Sequence, residues 1–214
     1  KSFFTRIILI TNTLINLSFS SIKMLNGFLY VTAAGGIQGG YSDDTLKFLS
    51  ITAKENNVNY IVIESNFGDG MFVELLKPIL NKIHRCSIEE VRHNTQKERR
   101  IIDTLEPVIS GHRLVIDPKV IQDDYESTQG YARENSLKYQ MMYQMTRITR
   151  DRGAITQDDR LDALAMAVGY WAEQMAQDAE VKIGERQENL LQKELEDFAD
   201  AYYNRKKGKN TLRW

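Results

Sequence analysis

The sequence predicts an α/β domain, and three observations predict it. Tyr60-Ile61-Val62-Ile63 is a continuous apolar run, as expected of a strand covered on both faces. Phe72, Leu75, Leu76, Ile79 and Leu80 follow it at helical spacing. Further short β-branched runs alternate with helical segments, which is the order of βαβ units around one layered sheet.

In chain order, Gly27 to Ala34 reads as a strand, β-branched and aromatic, closed by Gly35-Gly36 and Gly39-Gly40. Ser42 is the expected N-cap of a helix running to about Glu55, with Asp43 and Asp44 favourable in its first turn. The Tyr60 strand ends in Glu64, and a loop from Ser65 to Gly70 leads into the Phe72 helix. A short strand is expected over Ser87 to Val91, a helix from Gln96 to about Leu105 closed by Pro107, and a strand from Arg113 to Ile116 stopped by Asp117-Pro118. Leu137 to Arg152 is expected as one helix ended by Gly153. From Asp158 onward, Leu161, Leu164, Val168, Trp171 and Met175 form a stripe at steps of three and four, the best-defined helix in the chain. Glu185 to Tyr203 reads as an exposed helix, and Asn204 to Trp214 holds five basic residues and no acid, as expected of a tail or docking segment.

Composition excludes several classes. With 28 Lys and Arg against 29 Asp and Glu, any nucleic-acid surface must come from local clustering. The single Cys86 makes no internal disulfide, and His84, His93 and His112 are too dispersed for a local zinc motif. The apolar segment Ile7 to Phe19 is too short to cross a bilayer and is interrupted by Asn12 and Asn16, so no membrane role is expected and the chain reads as cytosolic.

Two places carry chemistry. Glu64 ends a buried strand before a glycine-containing loop, which puts its carboxylate at the sheet edge where open α/β sheets hold ligands. The same position equally suits the first solvated residue after a strand, and Asp69 in the loop either joins the site or caps the next helix. Asp159 and Asp162 are three apart and share a helix face, with Asp158 beside them. They either hold a divalent cation or simply favour the helix N-terminus, Thr156 being a candidate cap. Ala163, Ala165 and Ala167 let that helix lie close to a sheet. Carboxylates without His or Cys suit Mg²⁺ or Mn²⁺. Lys97, Arg99 and Arg100 on one expected helix, and Lys138, Arg147 and Arg150 on another, suit phosphate contacts or solvated faces. The site expectation is thus Glu64 and Asp159 as catalytic ligands, Asp162 and Asp158 as further metal ligands, and Lys97, Arg99, Arg100, Arg147 and Arg150 on DNA.

With these residues in hand, the chain resembles the nuclease domain of the large terminase subunit of short-tailed double-stranded DNA bacteriophages. The resemblance rests on Leu25-Asn26-Gly27, Ala34-Gly35-Gly36, Gly40-Tyr41-Ser42-Asp43, Glu64-Ser65-Asn66-Phe67-Gly68-Asp69-Gly70-Met71-Phe72, Asp103-Thr104-Leu105-Glu106-Pro107-Val108, His112-Arg113-Leu114-Val115 and Asp158-Asp159-Arg160-Leu161-Asp162-Ala163-Leu164, in order, from about Ile22 to about Met175. It implies an RNase H-like mixed sheet flanked by helices, in which acidic motifs hold two Mg²⁺ or Mn²⁺ ions and cut double-stranded viral DNA during genome packaging in the host cytoplasm. Glu64 then matches the second acidic motif and Asp159 the third, with Asp162 as the additional acid and Asp158 as the alternative register. It also implies portal or other packaging-motor proteins as partners, through the C-terminal tail. Two departures stand out: Gln157 occupies a place where the family often has His, and Lys1 to Ser21 contain no acid, so the first acidic motif is missing. No Walker A motif is present, and the ATPase half of a terminase is expected to be absent. The expected division is an atypical segment 1–21, read either as out of frame or as a divergent strand, a nuclease domain 22–177 and a charged helical tail 178–214. Cutting is expected to be impaired, and the rival is a catalytically silent DNA-binding or motor-docking module.

Overall fold

A mixed sheet runs in the order β5-β4-β1-β2-β3-β6 in the computed structural model, which describes residues 5–11, 16–64, 70–92, 95–172 and 186–196. Strands β1 (Thr5–Thr11), β2 (Asn16–Leu25) and β3 (Phe28–Gln38) form an antiparallel ladder. The β2–β3 turn is Asn26-Gly27 with φ of 53° and 82°, the left-handed pair that a two-residue hairpin requires. Strands β4 (Val58–Glu64) and β5 (Ser87–Val91) join parallel beside β1, and β6 (Leu114–Ile116) joins parallel beside β3. The start expected at residue 22 therefore falls inside β2, and Thr5–Thr11 lies at the centre of the sheet. Its sequence, Ile7-Ile8-Leu9-Ile10, suits that place, because central strands of layered sheets favour an unbroken apolar run.

Helices α1 (Asp43–Glu55) and α2 (Met71–Ile83) cover one face, where Leu46, Leu49, Phe72 and Leu76 pack with Ile61 and Ile63. Ser42 caps α1 as expected, its hydroxyl accepting from the Thr45 amide. On the other face, α3 (Lys97–Ser110) and a helix over 159–172, α7, bury Ile101, Leu105, Leu161, Leu164 and Val168 against Ile22, Val31 and Val62. β4 thus sends Ile61 and Ile63 to one layer and Val62 to the other, by the period of two that any strand imposes.

Three local expectations are corrected. Pro107 lies inside α3 rather than ending it, because a missing amide this near the C-terminus costs a single ladder bond and the helix closes at Gly111, whose amide reaches the Pro107 carbonyl. Asp117-Pro118 does more than stop β6: it starts α4 (Pro118–Glu126), with Asp117 accepting from the Lys119 amide and proline in the first turn. The single helix expected over 137–152 is three pieces, α5 (Arg133–Ser136), a 3-10 turn (Leu137–Tyr139) and α6 (Met141–Arg147), interrupted where Gln140 and Ile148 are extended. Tertiary bonds override local periodicity there, since the buried Gln144 amide joins the Lys138 carbonyl to the Leu161 amide.

The chain divides into two compact units, Lys1–Trp171 and Ala172–Trp214. In the second, 186–196 is helical and solvent-exposed. Among the described residues no helix is long and apolar enough to cross a membrane.

Candidate metal and nucleic-acid site

Glu64 follows Ile63 at the end of β4, so its side chain falls on the same face as Val62, toward α3 and α7. It is 7% exposed, which rules out the reading of a solvated strand end. Asp159 and Asp162 lie in the first turn of α7 and are buried, Asp162 completely. Asp158 directly precedes the helix, and its carbonyl accepts from the Asp162 amide, so the Asp158 position takes the role expected of Thr156. The loop residues Ser65 to Asp69, with the expectations for Asn66, Gly68 and Asp69, lie outside the described residues.

Two cations from one face of α3 bind these acids together. Lys97 Nζ lies 2.7 Å from Asp158 Oδ1, 3.0 Å from Asp159 Oδ1 and 3.4 Å from Asp162 Oδ2. One turn on, Arg100 Nη2 donates to both Asp162 oxygens at 2.7 and 2.9 Å, and its Nη1 lies 3.5 Å from Glu64 Oε1. Glu64 and the three aspartates thus gather around two positive side chains. Burial pushes the Asp162 carboxyl up to about 7 despite Lys97 and Arg100, with Glu64 and Asp158 adding repulsion. Asp159 shifts upward as well, again through burial, against the pull of Lys97. Burial works against the Lys97 ammonium, but Asp162, Asp159 and Asp158 outweigh it and hold its pKa far above the usual lysine range.

The other expected DNA contacts are scattered. Arg99 and Arg147 are exposed, Arg147 lying over the Tyr143 ring at 5.6 Å, whereas Arg150 is paired with Asp103 and Glu106. Arg147, Lys138, Tyr143 and Gln157 line a cleft of about 530 Å³ that ends at the chain segment leading into Asp158.

A second charged cluster holds the acid-bearing helix in place, and sequence reasoning missed it. Arg160 is 2% exposed, and its Nη1 donates to Asp124 Oδ1 at 2.6 Å, to the Asp124 carbonyl at 3.1 Å and to Ser127 Oγ at 2.8 Å. Asp124 Oδ2 accepts from the Met141 amide at 2.7 Å. These bonds and the Gln144–Leu161 bond fasten α4 and α6 to the start of α7, fixing the rotation that aims Asp159 and Asp162 at α3. The available signal was an arginine inside an otherwise apolar stripe, which must find a partner once the stripe is buried. The partner was out of sight because α4 was not foreseen.

The first acidic motif gains nothing from the sheet. β1 runs parallel to β4 with Leu9 opposite Ile63, so Ile10 is the next position, level with Glu64, and residues 1–21 contain no acid.

Residues 16–114 match the family model described as Terminase Bacteriophage T7, Ribonuclease H-like domain. The large terminase subunit of Enterobacteria phage T3 is 44% identical over 172 residues, covering 80% of this chain; the chain spans only 29% of that relative's length. Among solved structures, the human cytomegalovirus terminase nuclease domain superposes with a TM-score of 0.53 at 9% identity, covering 77% of this chain and 82% of that one. The large terminase of a thermophilic bacteriophage gives 0.51 at 11% identity, covering 78% of this chain and 39% of that one. The chain is thus similar in sequence to a phage large terminase subunit, and its fold is the RNase H-like one of terminase nuclease domains.

Proposed function

We propose that this chain is a metal-dependent endonuclease domain that cuts double-stranded viral DNA during genome packaging, and that its cutting is impaired. The observation that carries the reading is the convergence of Glu64 with Asp158, Asp159 and Asp162 on one pair of α3 cations, although they come from different elements. Their donor atoms are all hard carboxylate oxygens, which fit Mg²⁺ or Mn²⁺. The cytomegalovirus domain of similar fold was solved after soaking with Mn. Bound divalent ions supply the charge that activates an attacking water and stabilises the leaving oxygen. Glu64 and Asp159 are the assigned ligands, Asp162 and Asp158 the supporting ones, and Arg99 and Arg147 are assigned as exposed phosphate contacts. Lys97 and Arg100 complete the DNA-facing set, while Arg150 serves once it leaves Asp103 and Glu106.

The reading of impairment is supported by the carboxylate inventory, in which Ile10 and not an acid stands level with Glu64. A two-ion site wants a ligand shared between ions, and losing it weakens the charge stabilisation that does most of the catalysis. The same deficit favours a second reading, a silent DNA-binding or motor-docking module. Plasmid nicking in Mn²⁺ separates them: slow nicking that vanishes in Glu64→Ala supports the nuclease, and nicking unaffected by Glu64→Ala defeats the assignment. Complete absence of nicking together with retained DNA binding points to the silent module.

We assign the packaging-motor contact, portal included, to the second unit, and the work of the whole to the host cytoplasm. Leu190, Leu191 and Leu195 are exposed on the helix over 186–196, and a basic end follows it. Exposed leucines on one short helix are suited to a protein partner.

A further inference from the structure

Lys97 and Arg100 stand where a metal's charge would be wanted. Between them they touch Glu64, Asp158, Asp159 and Asp162 at 2.7 to 3.5 Å, two positive charges against four negative ones. Among the described residues no group of three or more His, Cys, Asp or Glu side chains is arranged to hold a metal ion. The acids are gathered, but around side chains rather than around a common ion position.

Both side chains have reason to leave. The Arg100 Nε is buried without a hydrogen-bond partner, so its resting posture leaves a donor unsatisfied, which costs free energy. Lys97 lies at the rim, its side chain 27% exposed, and it borders a cleft of about 480 Å³ together with Thr95, Gln96, Glu98 and Arg152. Glu98 does not compete for it there, because its carboxylate accepts from the Gly153 amide at 2.6 Å. Lysine and arginine both bind phosphate strongly, arginine through its fork and lysine as a point charge. A cation entering while Lys97 stays would meet a like charge at contact range in a partly dry site, where that repulsion is large.

We infer that Lys97 and Arg100 are the resting occupants of the carboxylate site, and that a divalent ion and a DNA strand load together, phosphates drawing the two side chains off the acids. This rests on the nuclease reading above and adds the order of assembly. Thermodynamic reciprocity follows: whatever DNA does for ion affinity, the ion does for DNA affinity. The device offsets part of the carboxylate charge when no DNA is present, so the ion is held more tightly with substrate than without it.

The test is Mn²⁺ binding by the full chain, read as free Mn²⁺ by electron paramagnetic resonance, with and without a cleavage-resistant phosphorothioate duplex. Lys97→Met is expected to bind Mn²⁺ roughly tenfold tighter than the unaltered chain, within the usual range of coupling energies. The duplex is expected to tighten Mn²⁺ binding by a similar factor in the unaltered chain and to add little in Lys97→Met. Lys54→Met, an equal charge change on α1, is expected to leave the affinity alone. The inference is overturned if Lys97→Met binds Mn²⁺ no more tightly, or if the duplex leaves the unaltered chain unchanged. Should Lys97→Met fail to fold by circular dichroism, Lys97→Gln takes its place, and the duplex comparison on the unaltered chain decides by itself. Absence of Mn²⁺ binding at millimolar concentration in every sample, duplex included, overturns the nuclease reading too.

Discussion

Asp162 sits completely buried beneath two cations, and its carboxyl still titrates near 7 because burial costs more than Lys97 and Arg100 return. In an unfolded chain it titrates near the ordinary 3.8, so between those values the folded state binds more protons than the unfolded one. Stability of the metal-free protein is therefore expected to fall as pH rises from about 4 to about 7, and Asp159 and Asp124, also shifted upward by burial, act with the same sign. Thermal denaturation at a series of pH values checks this, and Asp162→Asn is expected to flatten the slope; a slope unchanged in that variant would count against the account. At this scale the sequence was legible in part. Glu64 was singled out by its place at a strand end, and Asp159 and Asp162 by their spacing of three, and the structure gathers all three around Lys97 and Arg100. The embrace by Lys97 and Arg100 was not legible, since a bond spanning 62 positions leaves no trace in local pattern; both cations read as DNA contacts.

Among the elements, α7 is set by its neighbours more than by its own periodicity. Arg160 and Asp124, both within 2% of complete burial, form the pair that binds α4 to α7. Removing one partner leaves a buried charge uncompensated, so Arg160→Met is expected to cost about 3–5 kcal/mol. The double change Arg160→Met with Asp124→Leu is expected to cost less than the sum of the single changes, which denaturant unfolding of all four proteins measures as a coupling energy. Gly36 gives a sharper test of the same cluster. A Cβ there would stand 2.9 Å from both Nε and Nη2 of Arg160, and the guanidinium is held too firmly to retreat. Gly36→Ala is expected to cost about 1–3 kcal/mol by overpacking, and that cost is expected to shrink in an Arg160→Met background. The glycine was visible in the sequence beside Gly35, but as a turn residue; its actual duty in β3 is to make room. α4 was overlooked because Asp117-Pro118 signals both a strand end and a helix start, and only the first meaning was read.

For the molecule as a whole, the alternation of strands and helices was legible because buried strands and amphipathic helices differ in period. The N-terminal part of the sheet was not, since Ser, Thr and Asn among the apolar residues of 5–25 obscure the two strands there. With β1 hydrogen-bonded to both β2 and β4, deletion of residues 1–11 is expected to abolish cooperative unfolding. Deletion of 173–214 is expected to leave it intact, as the first compact unit ends at Trp171. Circular dichroism melts of the two truncations decide both statements, and a folded, cooperative 12–214 chain would show that β1 is dispensable.

The central place of β1 also fixes an order of events during synthesis. β1, β2 and β3 pair antiparallel with their neighbours in sequence, so that ladder is complete long before Val58–Glu64 leaves the ribosome. Until then the growing chain presents the far side of Ile7-Ile8-Leu9-Ile10 as an open strand edge, ready to template pairing with another nascent chain. β4 is the strand that seals it, and until β4 arrives that edge is expected to be open to pairing and to chaperones that shield strand edges.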